Sequence, residues 1–209
     1  MAMKRSWLLI PILLALSCSR PAKNGDALNG AEKALIDGSD SVMKVLVVGN
    51  ASEKKVLRRV SVDFSDQDLQ SGYHSRLSSF MLRTVTDPSQ DGVGIAGPQV
   101  GINRRIVAVQ RFDKEGEPFE IYSNIRVESL WGEVVRGPEG CLSIPGRRGI
   151  VPRHSGVTVS YKDPRTLETV LDSVEGFTAV IFQHEIDHLD GILYTDRADS
   201  VWVDNRSAD

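Results

Sequence analysis

Long apolar runs, basic clusters and internal repeats are all missing from this 209-residue sequence. The longest apolar run, Trp7 to Leu16, is far shorter than the roughly 20 residues that a membrane-spanning helix requires. The formal net charge is −3 and no basic stripe occurs, so no nucleic-acid partner is expected. With 41% hydrophobic residues, the chain can form one globular domain with a hydrophobic core.

Cysteine and histidine are also scarce, with two and four residues respectively. Two of the histidines nevertheless lie together in the segment His184-Glu185-Ile186-Asp187-His188. Residues four apart are neighbours on one face of a helix, so both imidazoles can bind one metal ion while Glu185 acts as a general base. The alternative is a chance match on a solvated helix face.

The surrounding sequence predicts the helix that this motif needs. Asp172 or Ser173 can cap its start, and Gly191 stands where a helix commonly ends. Between them, four residues recur on one face, namely Phe177, Val180, Ile181 and His184. The pattern therefore predicts an amphipathic helix that carries both histidines.

Two histidines are an incomplete set, because a catalytic metal normally has three protein ligands and one open position. Cys141 is a candidate third ligand, since glycine and proline residues on both sides place it in a turn-rich segment from Arg136 to Gly146. A thiolate can be presented from such a loop or strand end. The alternative is a free cysteine that fills space as a small apolar residue.

A glycine-rich segment, Gly92 to Gly101, lacks the Lys-Ser/Thr pair of a phosphate-binding loop and the spacing of a dinucleotide fingerprint. Its small residues instead allow the backbone to approach another backbone or a ligand closely. Gln99, within this segment, can offer an amide donor to a developing oxyanion. We therefore expect this segment to line a catalytic site.

Taken together, these segments resemble the three motifs of peptide deformylases, in the family's order. Gly92 to Gln99 is similar to the first motif, Glu139 to Ser143 to the second and Gln183 to His188 to the third. The resemblance extends from about Met43 to Arg197. It implies an α+β fold in which short β-sheets pack around a central helix carrying the HExxH motif. Gly97 is a departure, because the family usually has alanine there.

The resemblance also implies an activity and a set of site residues. The enzyme would remove the N-formyl group from formyl-methionyl peptides and release formate. Cys141, His184 and His188 would bind the metal, which is usually Fe²⁺, with Zn²⁺, Ni²⁺ or Co²⁺ as substitutes. Glu185 would be the acid/base, and Gln99 with the backbone N–H of Leu142 would bind the oxyanion. Seven further residues would contact the substrate: Val93, Gly94, Glu139, Arg148, Phe177, Val180 and Ile181.

The first residues predict a different location from that of a ribosome-associated enzyme. Lys4 and Arg5 precede the apolar run, and Cys18 follows Ala15-Leu16-Ser17, as in a bacterial lipoprotein signal. Residues 1–17 are thus predicted to be a signal peptide and Cys18 to carry lipid. An uncleaved anchor, or a start at Met3 that leaves the protein cytoplasmic, is the alternative.

This interpretation divides the chain into three parts. Residues 18–42, rich in small and polar residues, are predicted to be a flexible tether with little core-forming potential, and residues 43–209 the catalytic domain. Lipid and tether would hold an exported enzyme on a membrane surface facing the periplasm or the cell exterior, without spanning the membrane. With Cys18 lipidated and Cys141 on the metal, no thiol remains for a disulfide.

Before the motif helix, periodicity predicts one helix and several strands. The helix begins near Ser65 and continues to about Val85. Strands are expected at Ile106–Val109, Phe119–Ser123, Val157–Tyr161 and Thr169–Leu171. The remaining histidines, His74 and His154, are expected to be structural or solvated.

Two other classes of function fit the same motifs. One is a related metallo-amidase or peptidase, for which activity on an unformylated or N-acetyl peptide would be diagnostic. The other is a non-catalytic, metal-containing lipoprotein that captures peptides. Every predicted catalytic position is intact, which favours the enzyme.

Overall fold

A computed structural model describes residues 25–90 and 92–204. The helices are α1 (Gly30–Asp37), α2 (Ala51–Leu57), α3 (Asp66–Leu69), α4 (Gly72–Val85), α5 (Gly176–Leu189) and α6 (Tyr194–Arg197), with a 3-10 turn at Gly97–Val100. The strands are β1 (Gly94–Ala96), β2 (Ile106–Gln110), β3 (Phe119–Cys141), β4 (Ile144–Lys162), β5 (Thr169–Glu175) and β6 (Ser200–Val203). The predicted α+β fold is confirmed.

The strands form one antiparallel sheet in the order β1-β2-β3-β4-β5, and β6 pairs with the start of β4. The sequence predicted several short sheets, with strands at only parts of β3 and β4. Glycine and proline residues between 132 and 152 resemble breaks in the sequence, but register shifts in the β3–β4 pairing accommodate them. The pairing of the two strands therefore continues to the turn between them, where Cys141 ends β3 and Ile144 begins β4.

Helix α5 packs against this sheet through its apolar residues. Ala179, Phe182 and Leu189 are fully buried and share one cluster with strand residues such as Val107 and Val157. A second cluster lies around α4 and includes Leu77, Met81 and Ile95. The sheet and two clusters fix α5 in the interior of the domain, and with it the histidine motif.

The start of α5 differs from the prediction. Neither Asp172 nor Ser173 caps the helix, because both lie in β5. Glu175 is the N-cap residue without a side-chain cap, and Gly176 has a φ of 69°, which glycine adopts without strain. A glycine turn thus replaces the predicted cap and connects strand to helix directly.

The helix predicted from Ser65 to Val85 is in fact two helices. Ser65 caps α3, which ends at Leu69, and Ser71 then caps α4 by accepting a hydrogen bond from the backbone N–H of His74. Each serine offers the backbone a local acceptor that interrupts a continuous helix. Helix α4 buries an apolar face that includes Leu77, Phe80 and Met81.

The prediction of a flexible tether is wrong for residues 25–42. Leu28 is 4% exposed and Ile36 is fully buried in the cluster around α4. The buried guanidinium of Arg104 binds the Glu32 carboxylate, with Nη2 2.7 Å from Oε2. A few apolar residues and two ion pairs, Arg104–Glu32 and Arg76–Asp37, therefore attach this segment to the domain, although its composition is mostly small and polar.

Cys18 and the predicted signal peptide lie outside the described residues. Within residues 25–90 and 92–204, no helix is long and apolar enough to cross a membrane.

His74 is structural, as predicted, and makes stability depend on pH. Its side chain is buried, its Nε2 lies 2.7 Å from Ser123 Oγ, and burial lowers its pKa to about 4 from 6.5. The unfolded chain therefore takes up the proton first as the pH falls from 6.5 to 4. We expect this proton uptake to lower the free energy of unfolding by up to about 3 kcal/mol.

Replacing His74 by glutamine should flatten the decline in stability between pH 6.5 and 4, measured by denaturant unfolding. His154→Gln is the matched control and should keep the wild-type slope. All three proteins are measured without metal, so the difference in slope reports His74. An unchanged slope in the His74 variant would contradict the assignment.

Candidate active site

Three potential metal ligands meet between the end of β3 and helix α5. Cys141 is the last residue of β3, and His184 and His188 lie one turn apart on α5. One ligand atom from each residue lies within 4.8 Å of the others, and Cys141 Sγ is 3.1 Å from His188 Nε2. The structure thus brings together the three residues that the sequence predicted as ligands.

Glu139 fixes the orientation of one of these ligands. Its Oε2 lies 2.8 Å from His184 Nδ1, and hydrogen bonds from His184 and Arg153 hold its pKa at about 2 although burial would raise it. A carboxylate has no proton to donate, so His184 Nδ1 carries the hydrogen and Nε2 keeps its lone pair for a metal. Glu139 was predicted to contact the substrate, and it also lines the cavity described below.

A buried ion-pair network extends from Glu139 to the surface. Arg153 donates to Glu139 Oε1 at 2.7 Å and to Asp187 Oδ2 at 2.6 Å, and Arg197 donates to the same Asp187 oxygen at 2.6 Å. The carboxylates and Arg153 are each less than 10% exposed. Sequence reasoning missed Arg153 and Asp187, although Asp187 lies inside the histidine motif. Asp187 and Arg153 are 34 positions apart, so no local pattern indicated that they pair.

Glu185 lies beside the ligands without binding the same centre. The residue is 4% exposed, and its Oε2 has no hydrogen-bond partner among the described residues. Burial raises the pKa of its carboxyl group to about 7. A cation among the three ligands would favour the carboxylate, as a general base requires. The environment therefore suits a group that accepts and returns a proton near neutral pH.

Gln99 points its amide nitrogen at the same centre. Its Oε1 accepts a hydrogen bond from the Ala96 backbone N–H at 2.8 Å, so the amide orientation is fixed with Nε2 on the other side. Nε2 lies 3.6 Å from Cys141 Sγ and 3.3 Å from Ser143 Oγ. Gln99 thus presents a buried donor next to the sulfur of Cys141. Ser143, which supports it, was not predicted.

A cavity of about 480 Å³ opens onto these groups. It is lined by all seven predicted substrate-binding residues, Val93, Gly94, Glu139, Arg148, Phe177, Val180 and Ile181, and by Gln99, Cys141, Leu142, His184 and Glu185. Its wall is apolar where α5 contributes Phe177, Val180 and Ile181. Such a mixture of apolar wall and few convergent polar groups is typical of a binding site for a small ligand or peptide end.

The cavity wall also contains two charged residues that sequence reasoning did not identify, Arg147 and Asp204. Asp204 accepts a hydrogen bond from Arg148 Nε at 2.7 Å. Asp204 reaches this position because β6 folds back onto β4 through the pair Arg148 and Trp202. No local sequence pattern connects positions 148 and 204.

The residues present fit a divalent transition metal. One thiolate and two imidazoles form a three-ligand set that leaves a position open, which is typical of a catalytic zinc or iron centre. His188 Nε2 faces Cys141 Sγ at 3.1 Å, and burial lowers the pKa of His188 well below 6.5. A neutral imidazole with an available nitrogen is the form that binds metal.

Comparison with known proteins agrees with this geometry. Residues 42–202 match the family model described as polypeptide deformylase. The chain belongs to the peptide deformylase family. The family match includes Cys141, His184, Glu185 and His188, and it excludes only the ends of the chain.

Individual members of the peptide deformylase family are similar over most of their length. The peptide deformylase of Halalkalibacterium halodurans is 35% identical over 166 residues, which are 75% of this chain and 89% of the relative. That of Leptospira biflexa is 34% identical, over 77% of this chain and 89% of the relative. A solved class I type b peptide deformylase from Acinetobacter baumannii with bound Met-Ala-Ser has a TM-score of 0.67 and 33% identity, covering 76% of this chain and 99% of that one.

The Glu185 carboxylate lies so close to Gly94 that residue 94 has no room for a side chain. A Cβ atom at residue 94 would lie 2.5 Å from Glu185 Oε1. We expect Gly94→Ala to displace this carboxylate and lower kcat about 10²-fold, as small misplacements of catalytic groups do. Gly140→Ala is the control in the same cavity, because its added Cβ would have no neighbour nearer than 3.7 Å. Steady-state formate release checks both variants, and equal losses would refute the specific role of Gly94.

Proposed function

We propose that this protein removes the N-formyl group of formyl-methionyl peptides with Cys141, His184 and His188 as ligands of its metal. The observation that carries this proposal is a thiolate beside two imidazoles and a buried glutamate, at the bottom of a cavity with an apolar wall. A thiolate carries the same charge as a glutamate carboxylate, but its softer sulfur donates more electron density, so this centre would differ electronically from one held by two histidines and a glutamate. We expect this difference to favour deformylation over general peptide hydrolysis.

In the proposed reaction, Glu185 transfers a proton, and Gln99 and Leu142 stabilise a negative charge. When bound, the divalent metal supplies Lewis acidity, which lowers the pKa of water toward about 7. Glu185 accepts a proton from the attacking water and later passes it to the departing amine nitrogen. Gln99 Nε2 and the backbone N–H of Leu142 donate hydrogen bonds to the oxyanion on the formyl carbon. The products are formate and a peptide with a free N-terminus.

The apolar wall provides the specificity for methionine. Val93, Val180 and Ile181 would surround an unbranched apolar side chain, and Phe177 lies at the rim with 55% of its surface exposed. The Phe112 ring, 5.2 Å from that of Phe177, supports this rim. Gly94, Glu139 and Arg148 line the remaining cavity and would contact the peptide beyond the first residue. The solved relative with bound Met-Ala-Ser supports a peptide of this kind.

We assign Fe²⁺ as the metal on the basis of the family, with Zn²⁺ as the alternative. Both ions accept mixed sulfur and nitrogen ligands. An exported protein lacks the reducing conditions of the cytosol, and these conditions protect a ferrous thiolate centre. Export would therefore favour Zn²⁺, and metal analysis of protein purified from its own membrane distinguishes the two.

The direct test is formate release from formyl-Met-Ala-Ser by protein loaded with Fe²⁺, Ni²⁺ or Co²⁺. We expect release by the wild type and none above background by Glu185→Ala. Unformylated and N-acetylated Met-Ala-Ser serve as competing substrates, and their hydrolysis would indicate a different amidase. Absence of formate with all three metals would overturn the proposed reaction.

We further propose that Cys18 carries lipid and that the enzyme is held on the outer side of a membrane, where it would meet exported formyl peptides. The support is the sequence of residues 4–18, with a basic start, a short apolar run and a cysteine after small residues. Membrane fractionation of wild-type and Cys18→Ala proteins tests the anchor. Equal membrane association of the two proteins would contradict it.

A further inference from the structure

Arg148 and Asp204 form an ion pair in the wall of the cavity that contains the candidate metal ligands. Arg148 Nε donates a hydrogen bond to Asp204 Oδ2 at 2.7 Å, and the two side chains are 39% and 16% exposed. The backbone N–H of Asp204 also donates to the Gly146 oxygen at 2.9 Å, which fixes the position of residue 204. The carboxylate therefore holds the guanidinium from its Nε side, and the guanidinium is the more accessible group of the pair.

Only one side of the Arg148 guanidinium is occupied. In the part of the chain that the structure describes, the two Nη nitrogens of Arg148 have no hydrogen-bond partner. Arg153 shows that one guanidinium can bind two carboxylates, because it donates to Glu139 from Nε and Nη2 and to Asp187 from Nη1. The fork of a guanidinium suits such shared binding. Arg148 can therefore bind a second carboxylate through its two Nη nitrogens while it stays bound to Asp204.

The strand register decides on which face of the sheet Arg148 lies. Arg148 pairs directly with Gly140, and Glu139 pairs with Gly149. Successive side chains of a strand point to opposite faces, and the Glu139 side chain reaches His184 on α5. Gly140 and Arg148 therefore lie on the face away from α5. A Cβ atom at residue 140 would have no neighbour nearer than 3.7 Å, so the space beside Arg148 is open to a ligand side chain.

An extended peptide in the cavity would direct its second side chain to this face. Residues 139–141 at the end of β3 pair with β4 on one side and with no other described strand. A peptide can therefore lie along this edge as an added strand, and its side chains then alternate between the two faces. With the methionine side chain against the apolar wall of α5, the second side chain points to the opposite face, where Arg148 lies.

The ion pair, its face and the open strand edge together define one subsite for the substrate. We propose that Arg148, positioned by Asp204, selects formyl-methionyl peptides whose second residue carries a carboxylate. This inference rests on the formyl-peptide substrate proposed above. The substrate carboxylate would accept hydrogen bonds from the two Nη nitrogens of Arg148. Asp204 is the positioning residue, because it fixes the guanidinium from the Nε side and touches no reacting atom.

The charges near Arg148 favour an anion over a cation. Arg147 also lines the cavity, is exposed and forms no ion pair with any described residue. The carboxylate of Glu139 is bound by Arg153, and Asp204 offsets only one of the two neighbouring arginines. A carboxylate on the second residue would therefore meet an excess of positive charge, and complementary charge of this kind gives specificity.

The test compares formyl-Met-Glu-Ser, formyl-Met-Gln-Ser and formyl-Met-Lys-Ser as substrates of the metal-loaded full-length protein. Each peptide has an amidated C-terminus, so that only the second side chain can carry a charge. We expect kcat/KM to be about fivefold higher for the glutamate peptide than for the glutamine peptide, as for a partly exposed ion pair. The difference should lie in KM, because Arg148 would contact the peptide equally before and during the reaction.

Variants of the pair separate positioning from charge. Arg148→Gln should remove the preference for glutamate. Asp204→Asn, whose amide oxygen still accepts from Nε, should keep the preference, whereas Asp204→Ala should lower it. Loss of negative charge alone would raise the preference in both Asp204 variants. Asp199→Ala is the matched control and should behave as the wild type, because Asp199 binds Arg136 at 2.8 Å at the other end of β6 and does not line the cavity.

Three results would overturn the inference. The first is a preference for glutamate that survives in Arg148→Gln or rises in Asp204→Ala. The second is a higher kcat/KM for the lysine peptide than for the glutamate peptide. The third is a free C-terminal carboxylate on formyl-Met-Gln-Ser that raises kcat/KM as much as the glutamate side chain does, which would assign the guanidinium to the peptide end.

Binding of the reaction products distinguishes this inference from the proposed reaction. The affinities of Met-Glu-Ser amide and Met-Gln-Ser amide for the same metal-loaded proteins are measured by calorimetry. Tighter binding of the glutamate peptide, without formate release from any substrate, would support the subsite and overturn the reaction. Formate release with equal affinities and equal kcat/KM for the two peptides would overturn the subsite and leave the reaction intact.

Discussion

Replacing Glu185 by glutamine is expected to lower the kcat of formate release by about 10³-fold, within the range lost when a general acid–base is removed. The amide has the same size but cannot take a proton from water or return one to the amine. Burial raises the pKa of this carboxyl group to about 7, so the group can accept a proton and return it near neutral pH. The measurement is single-turnover formate release at saturating formyl-Met-Ala-Ser.

The metal content of the Glu185→Gln protein is the control, because it separates loss of the acid–base group from loss of the metal. Glu185 is not among the three residues whose ligand atoms meet, so the variant should bind as much metal as the wild type. Cys141→Ala, by comparison, removes a ligand and should lose both metal and activity. A Glu185→Gln protein that keeps its metal and retains activity within about tenfold of wild type would exclude the acid–base role.

Local sequence patterns indicate only parts of the candidate metal site, and the resemblance to peptide deformylases implied the complete set of residues. His184 and His188 are placed on one face by helical periodicity, and the glycine and proline residues around Cys141 indicated an accessible thiol. Gln99 lies 42 positions from Cys141, and Cys141 lies 47 positions from His188. No local pattern brings these groups together, so their convergence was an implication of the family resemblance.

Features that depend on distant contacts were missed. Arg153 bridges Glu139, which lies 14 positions before it, and Asp187, which lies 34 positions after it. Asp204 reaches the substrate cavity only through the pairing of β6 with β4. Residues 25–42 are polar in composition, yet Leu28 and Ile36 fill the core around α4. In each case the decisive partner lies far along the chain, so no local pattern could indicate it.

Removing the carboxylate of Glu139 is expected to damage stability and metal binding together. Glu139 accepts two hydrogen bonds from buried Arg153 and one from the ligand His184. Glu139→Ala leaves part of the buried guanidinium unpaired, and such a loss typically costs about 3–5 kcal/mol of unfolding free energy. His184 also loses the acceptor that fixes its tautomer, and affinity for the metal should fall about 10- to 100-fold.

A matched variant distinguishes these two effects. Asp172 Oδ2 accepts a hydrogen bond at 2.6 Å from the buried guanidinium of Arg111, and this network contains none of the proposed metal ligands. Asp172→Ala removes that carboxylate. It should lower stability, measured by denaturant unfolding of metal-free protein, without changing metal affinity. Glu139→Ala should lower both, and Glu139→Gln, whose amide oxygen still accepts from His184, should recover part of the affinity. If Asp172→Ala weakens metal binding as much as Glu139→Ala does, the loss reflects general destabilisation, and Glu139 does not position His184.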